Sequence, residues 1–195
     1  ALINVVDSIV FTGSVATGRK VGAAAATNFI PAFLELGGKD AAIVLANADV
    51  DYAASAILWG ATSNAGQACQ SIERVYVQRD IHDAFVQART EKAATLKLTV
   101  EGGPIGPIIA ADQVKIIESH LQDALQAGAQ ATCGGTIEIH NGGAYCRPTV
   151  LTGVDHDMMV MRDETFGPIL PVMAFDTPDE AIALANSAAY GLSAG

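Results

Sequence analysis

The chain has 195 residues, 50% of them hydrophobic and 16% charged, which excludes a disordered segment or a stapled mini-protein and predicts one large domain, or one domain plus a piece of another. Eleven basic against twenty-one acidic residues give a formal net charge of -10, and because the acids are scattered, nucleic acid and anionic membranes are poor partners. Three cysteines, Cys69, Cys133 and Cys146, are odd in number and form no Cys-x-x-Cys pair, which fits reduced thiols in a cytoplasmic setting. No apolar run approaches membrane-spanning length and no signal peptide is evident. The chain opens at Ala1 without an initiator methionine and stops at Gly195 just after a helix pattern, so it reads as a piece of something larger.

Residues 4–11 are rich in Val and Ile and predict a buried strand. A small-residue turn over 12–18 and an Ala-rich helix over 19–28 follow. Strand, small turn, helix is the order in which backbone N–H groups can meet an anion at a helix start. An ordinary tight turn has the same order, and the stretch matches neither Gly-x-Gly-x-x-Gly nor a Walker sequence. A second strand is expected over 29–36, with Glu35 set between Leu34 and Leu36. A carboxylate in apolar surroundings can serve as a general base; the same spacing also suits an outward-facing strand residue.

Residues 41–45 predict a third strand, after which Asp49 or Asn47 caps a helix running to about Thr62. Ala54, Ile57, Leu58 and Ala61 give that helix one apolar face, and Trp59 is expected in the core. Cys69 follows, among Asn64, Gly66, Gln67 and Gln70, in a connection before a strand over 74–78. A thiol there is either a nucleophile in a functional loop or a buried packing residue.

Asp80 is expected to cap a helix with Ile81, Ala84, Phe85 and Ala88 on one face, ending near Leu98. A further helix over 111–127 carries Val114, Ile117, Leu121 and Leu125 and stops at Gly128. His82 and His120 are expected on the surface. Extended segments over 129–133 and 145–152, turns at 134–135 and 141–143, and packing roles for Cys133 and Cys146 complete the middle of the chain. An apolar knot over 158–161 precedes Glu164-Thr165-Phe166-Gly167-Pro168, a strand over 169–175, and a Thr177-Pro178-Asp179-Glu180 helix start running to about Ala185. Helices alternating with strands predict an α/β fold, a largely parallel layered sheet with flanking helices.

Four segments in order carry a resemblance: Phe11-Thr12-Gly13-Ser14 with Gly18; Leu34-Glu35-Leu36-Gly37-Gly38-Lys39; Asn64-x-Gly66-Gln67-x-Cys69; and Glu164-x-Phe166-Gly167-Pro168. Together they resemble the NAD(P)-dependent aldehyde dehydrogenase superfamily over nearly the whole chain. The resemblance implies that Cys69 is the catalytic thiol, that Glu35 is the general base, and that the product is an acid rather than an acyl-coenzyme A. It implies that Gly13, Ser14 and Gly18 form the cofactor turn, with Leu36 bordering the nicotinamide. Glu164 would hold the nicotinamide ribose, with Phe166 beside it. The cofactor would be NAD or NADP, the substrate a small aldehyde, and the full-length protein a homo-oligomer, dimer or tetramer. Residues 1–36 would be the tail of the dinucleotide-binding domain and 37–195 a catalytic domain truncated at its C-terminus. The family's proline-tryptophan-asparagine segment, adenosine-ribose lysine and second oxyanion donor have no counterpart here. A non-catalytic reading, in which the core and thiol persist without productive cofactor binding, stands beside the enzymatic one.

Overall fold

A computed structural model describes residues 2–195. The chain divides into two compact units at Gly38/Lys39. The first is a β–α–β arrangement: β1 (Ile9–Gly13), α1 (Val15–Thr27) and β2 (Ala32–Leu36), with the strands parallel. The strand expected from residue 4 begins instead at Ile9, and Leu2–Val5 form a short 3-10 turn. The reason lies in its partner. Phe29 has a left-handed φ of 55° and Pro31 offers no N–H, so β2 starts at Ala32 and pairs with Ile9.

The second unit holds a five-stranded sheet of order β3-β4-β9-β8-β5: β3 (Asp40–Val44), β4 (Ile72–Gln78), β5 (Gln130–Cys133), β8 (Thr149–Thr152) and β9 (Ile169–Phe175). Every neighbour pair is parallel except β5 with β8. A separate hairpin joins β6 (Ile137–His140) to β7 (Gly143–Cys146), turning through Asn141 and Gly142, both at positive φ. The extended stretch expected over 145–152 is thus two strands, parted at Arg147 and Pro148.

Both faces of the large sheet are covered, as parallel strands require. Ala42, Val44, Val75, Val77, Leu170 and Val172 pack on α2 (Val50–Thr62) and α3 (Arg79–Thr95), whose Ile57, Leu58 and Phe85 face them. Ala41, Tyr76, Leu151, Ile169 and Phe175 point the other way, onto Ile117 and Leu121 of α4 (Ala111–Gln126), Val160 and Met161 of α5 (Met159–Arg162), and Ala181 of α6 (Pro178–Ala185). Asp49 caps α2 by accepting the Tyr52 N–H, and Thr177 caps α6 with Pro178 at its first position. Among the described residues no helix is long and apolar enough to cross a membrane.

Four local expectations are corrected. Trp59 is 75% exposed, because Ala54, Ile57, Leu58 and Ala61 take the buried side of α2 and turn the indole outward. His120 is buried, because Ile117, Leu121 and Ala124 put that side of α4 against the sheet. Asp80 lies inside the first turn of α3, after Gln78, which makes no side-chain cap bond; there its charge still suits the helix dipole. Ala84 is exposed, and the buried stripe of that helix runs through Phe85, Arg89 and Ala93.

Candidate active site

The connection carrying Cys69 is a rigid turn. After α2 the chain folds through Ser63–Gly66, with three successive left-handed residues: Asn64 (φ 52°), Ala65 (φ 56°) and Gly66 (φ 73°). Such a run is unfavourable for L-residues, and it is held by hydrogen bonds of two side-chain amides. The Asn64 side chain donates to the Gln67 carbonyl at 3.0 Å, and Gln67 Nε2 returns a bond to the Asn64 carbonyl at 3.0 Å. Gln67 Nε2 also donates to the Pro107 carbonyl at 3.1 Å, while its Oε1 accepts the Ile109 N–H at 2.8 Å. The Ser71 N–H donates to the Ala68 carbonyl, closing a turn around Cys69 and Gln70. Cys69 is partly exposed, with Sγ 4.0 Å from Gln70 Oε1. Cys146, by contrast, is fully buried, which pushes its thiol up to about 12, and burial also raises that of Cys133. All three are free.

This turn abuts the segment containing Glu164 and Phe166. A Cβ on Gly66 would lie 2.4 Å from the Gly167 carbonyl carbon, so two backbones meet where only glycine fits. Thr165 points inward and is fully buried, whereas Glu164 and Phe166 on either side are partly exposed. Thr165 Oγ1 accepts from the Lys39 ammonium at 3.2 Å and lies 3.1 Å from His120 Nδ1. Its carbonyl accepts from Gln113 at 2.7 Å. The Thr165 and Phe166 N–H groups both donate to the Glu73 carboxylate, each at 2.7 Å. Lys39 and Glu73 form a buried ion pair of 2.6 Å. Burial pushes the Lys39 ammonium below its ordinary range, and the charge of Glu73 opposes that shift.

In the first unit, Gly13 pairs with Leu36 and Thr12 with Glu35 at the carboxyl end of the parallel strands. Ser14 caps α1 by accepting the Thr17 N–H at 3.2 Å, and its carbonyl accepts the Gly18 N–H at 2.8 Å. Gly18 lies against Leu36, whose Cδ2 would be 2.5 Å from an added Cβ. Gly13, Ser14, Gly18 and Leu36 therefore come together at one end of that unit, where a helix start leaves amides open to an anion. Glu35 is exposed and stands on the opposite side of β2 from Leu34 and Leu36.

Sequence reasoning did not single out Glu73 or the buried side of His120, it gave Lys39 no role, and it named Gln67 only as a polar neighbour of Cys69. A signal existed for the ion pair. Lys39 and Glu73 each stand beside the start of a strand expected to be apolar, and opposite charges there can meet across a parallel ladder.

The aldehyde dehydrogenase family model matches residues 3–195. This chain belongs to that family. It is 43% identical over 189 residues to 4,4'-diapolycopene aldehyde oxidase of Methylomonas sp, covering 96% of this chain and 35% of that protein. It is 40% identical to lactaldehyde dehydrogenase of Escherichia coli, covering 96% of this chain and 40% of the relative. Among solved structures, the aldehyde dehydrogenase-type protein PutA from Anabaena variabilis superposes with a TM-score of 0.97 at 56% identity, over 99% of this chain and 42% of that one. The chain thus spans about two fifths of the length of these aldehyde dehydrogenase relatives.

Proposed function

We propose that the protein oxidises an aldehyde to a carboxylic acid with NAD+ or NADP+, with Cys69 as nucleophile. The Cys69 thiolate attacks the carbonyl carbon and forms a thiohemiacetal, whose oxyanion the Cys69 backbone N–H steadies. When bound, the nicotinamide supplies the acceptor for the hydride that leaves this carbon. Cys69 then carries the acyl group as a thioester. Glu35 takes a proton from water, the resulting hydroxide attacks the thioester, and the thiolate leaves as the acid forms. In this reading Gly13, Ser14 and Gly18 receive the pyrophosphate, and their fit is chemical: small residues and open amides at a helix start suit an anion. Leu36 borders the nicotinamide, the Glu164 carboxylate accepts from ribose hydroxyls, and Phe166 shields the reacting carbon from water.

Residues 1–36 are then the tail of the cofactor domain and residues 37–195 belong to the catalytic domain. The aldehyde itself and the choice between NAD and NADP are matters for assay across a panel of aldehydes with both cofactors. Three free thiols fit a reducing, cytoplasmic compartment, and a homo-oligomeric assembly follows the family reading.

The observation that carries this proposal is the Cys69 turn, pinned by Gln67 and locked through Gly66 to the Glu164–Gly167 segment, in a chain of this family. Cys69→Ser in the complete protein is expected to remove NAD(P)H formation with every aldehyde tried, and retained turnover would overturn the mechanism. The short span relative to the relatives favours one second reading: residues 1–195 alone keep the thiol but bind no cofactor productively. Calorimetric titration of those residues with NAD+ tests it, and saturable micromolar binding would count against it.

A further inference from the structure

Glu73 is buried one residue into β4, and its carboxylate gathers three donors. Oε1 accepts the Phe166 N–H at 2.7 Å; Oε2 accepts the Thr165 N–H at 2.7 Å and the Lys39 ammonium at 2.6 Å. Two successive backbone N–H groups aimed at one carboxylate fix the orientation of the peptide between them. That peptide needs fixing, because Phe166 sits at φ 50°, a left-handed conformation unfavourable for an aromatic residue. Lys39 is held in turn from its own backbone, where its carbonyl accepts from Arg74 Nε at 3.0 Å and Nη2 at 2.7 Å. Gln113, Lys39 and His120 occupy the remaining polar atoms of Thr165. Lys39, Glu73, Arg74, His120 and Thr165 are all buried, but the two residues flanking Thr165 are the partly exposed Glu164 and Phe166.

We propose that Glu73, with Lys39 as its counter-charge, is a positioning residue that sets Glu164 and Phe166 in place for the nicotinamide ribose. The inference rests on the role given above to Glu164 and Phe166. It adds that a carboxylate in β4, the strand that follows the Cys69 turn, holds that strand and the cofactor-facing segment in one fixed register. Glu73 forms no bond to reactant and moves no proton in the reaction. Its loss should therefore weaken cofactor binding while leaving the thiol's own reactivity in place.

The test is Glu73→Gln in the complete protein. Glutamine keeps the shape but presents one acceptor oxygen and an NH2 group to three donors, so the two backbone N–H groups cannot both be satisfied. Amide exchange over residues 164–167 is expected to speed up by about tenfold or more, and the Kd for NAD+ or NADP+ to rise by about tenfold. Alkylation of Cys69 by iodoacetamide without cofactor should stay within about twofold of the parent, since the bonds that shape the Cys69 turn run through Gln67, Ala68 and Ser71 and not through Glu73. The double variant Lys39→Met with Glu73→Gln removes the lone buried ammonium that the single change leaves, and it should reproduce the same pattern if the single variant folds poorly. Unchanged exchange at Thr165 and Phe166, or a Kd equal to the parent's in a folded variant, would overturn the inference. So would a fall in alkylation matching the rise in Kd, because Glu73 would then be supporting the whole site. A parent protein that binds neither NAD+ nor NADP+ would instead sink the functional reading.

Discussion

Arg89 heads the fully buried side chains by size, and it is poorly provided for. Its Nη1 donates to the Ala54 carbonyl at 2.8 Å, but Nε and Nη2 have no partner among the described residues. Burial pushes the guanidinium down to about 9, against an opposing effect from Cys133. A charge held in that way opposes folding. Arg89→Met is therefore expected to raise the midpoint of thermal unfolding, corresponding to a gain of about 1 kcal/mol or more. A lowered midpoint would show that the single bond to α2 outweighs the desolvation. The same residue explains a misread pattern. Counting only apolar types on α3 selects Ala84 and Ala88, whereas the buried stripe follows Phe85, Arg89 and Ala93, and an arginine inside such a stripe gives no signal of its burial.

The turn between α2 and β4 shows what an element owes to a distant one. Gly66 is visible in the sequence as a glycine three residues before Cys69, but the demand for glycine comes from Gly167, about a hundred residues further along the chain. Gly66→Ala places a methyl group at 2.4 Å from the Gly167 carbonyl carbon and a side chain at φ +73°. A destabilisation of about 2–4 kcal/mol is expected, read as a lowered unfolding midpoint together with loss of NAD(P)H formation. An alanine variant as stable as the parent would mean that the two turns can part freely. The Trp59 side chain belongs to this scale as well. Helical periodicity placed Ala54, Ile57, Leu58 and Ala61 on one buried face, and the correct consequence was that Trp59 faces outward; large apolar type alone argued for the core and was misleading.

At the scale of the molecule, one buried polar cluster joins Lys39 just before β3, Glu73 of β4, His120 of α4 and Thr165 before β9, and its histidine is expected to make stability depend on pH. Thr165 Oγ1 accepts from the Lys39 ammonium at 3.2 Å and lies within hydrogen-bond distance, 3.1 Å, of His120 Nδ1. Burial first, then the nearby Lys39, push the His120 imidazole below its ordinary value, against Asp163, Glu73 and Asp123. Folding favours the neutral ring. This contribution is complete above the unfolded value of 6.5 and is lost as pH falls through the lower folded value. The unfolding midpoint of the parent should thus drop more steeply below pH 6.5 than that of His120→Gln, which keeps an acceptor but does not titrate. Parallel curves would exclude His120 as the source. By itself the sequence determined the α/β class with a largely parallel sheet and the helix start at Thr177, because these follow from local capping and from periodicity, while it left the cap of α2 open between Asn47 and Asp49. It also placed Cys69 in a connection between helix and strand. Only the tertiary structure decided that Lys39, Glu73, Thr165 and His120 meet, that Gly66 lies on Gly167, and that β1 begins at Ile9. Those outcomes depend on which distant backbone supplies a partner, and a periodic pattern carries no information about that.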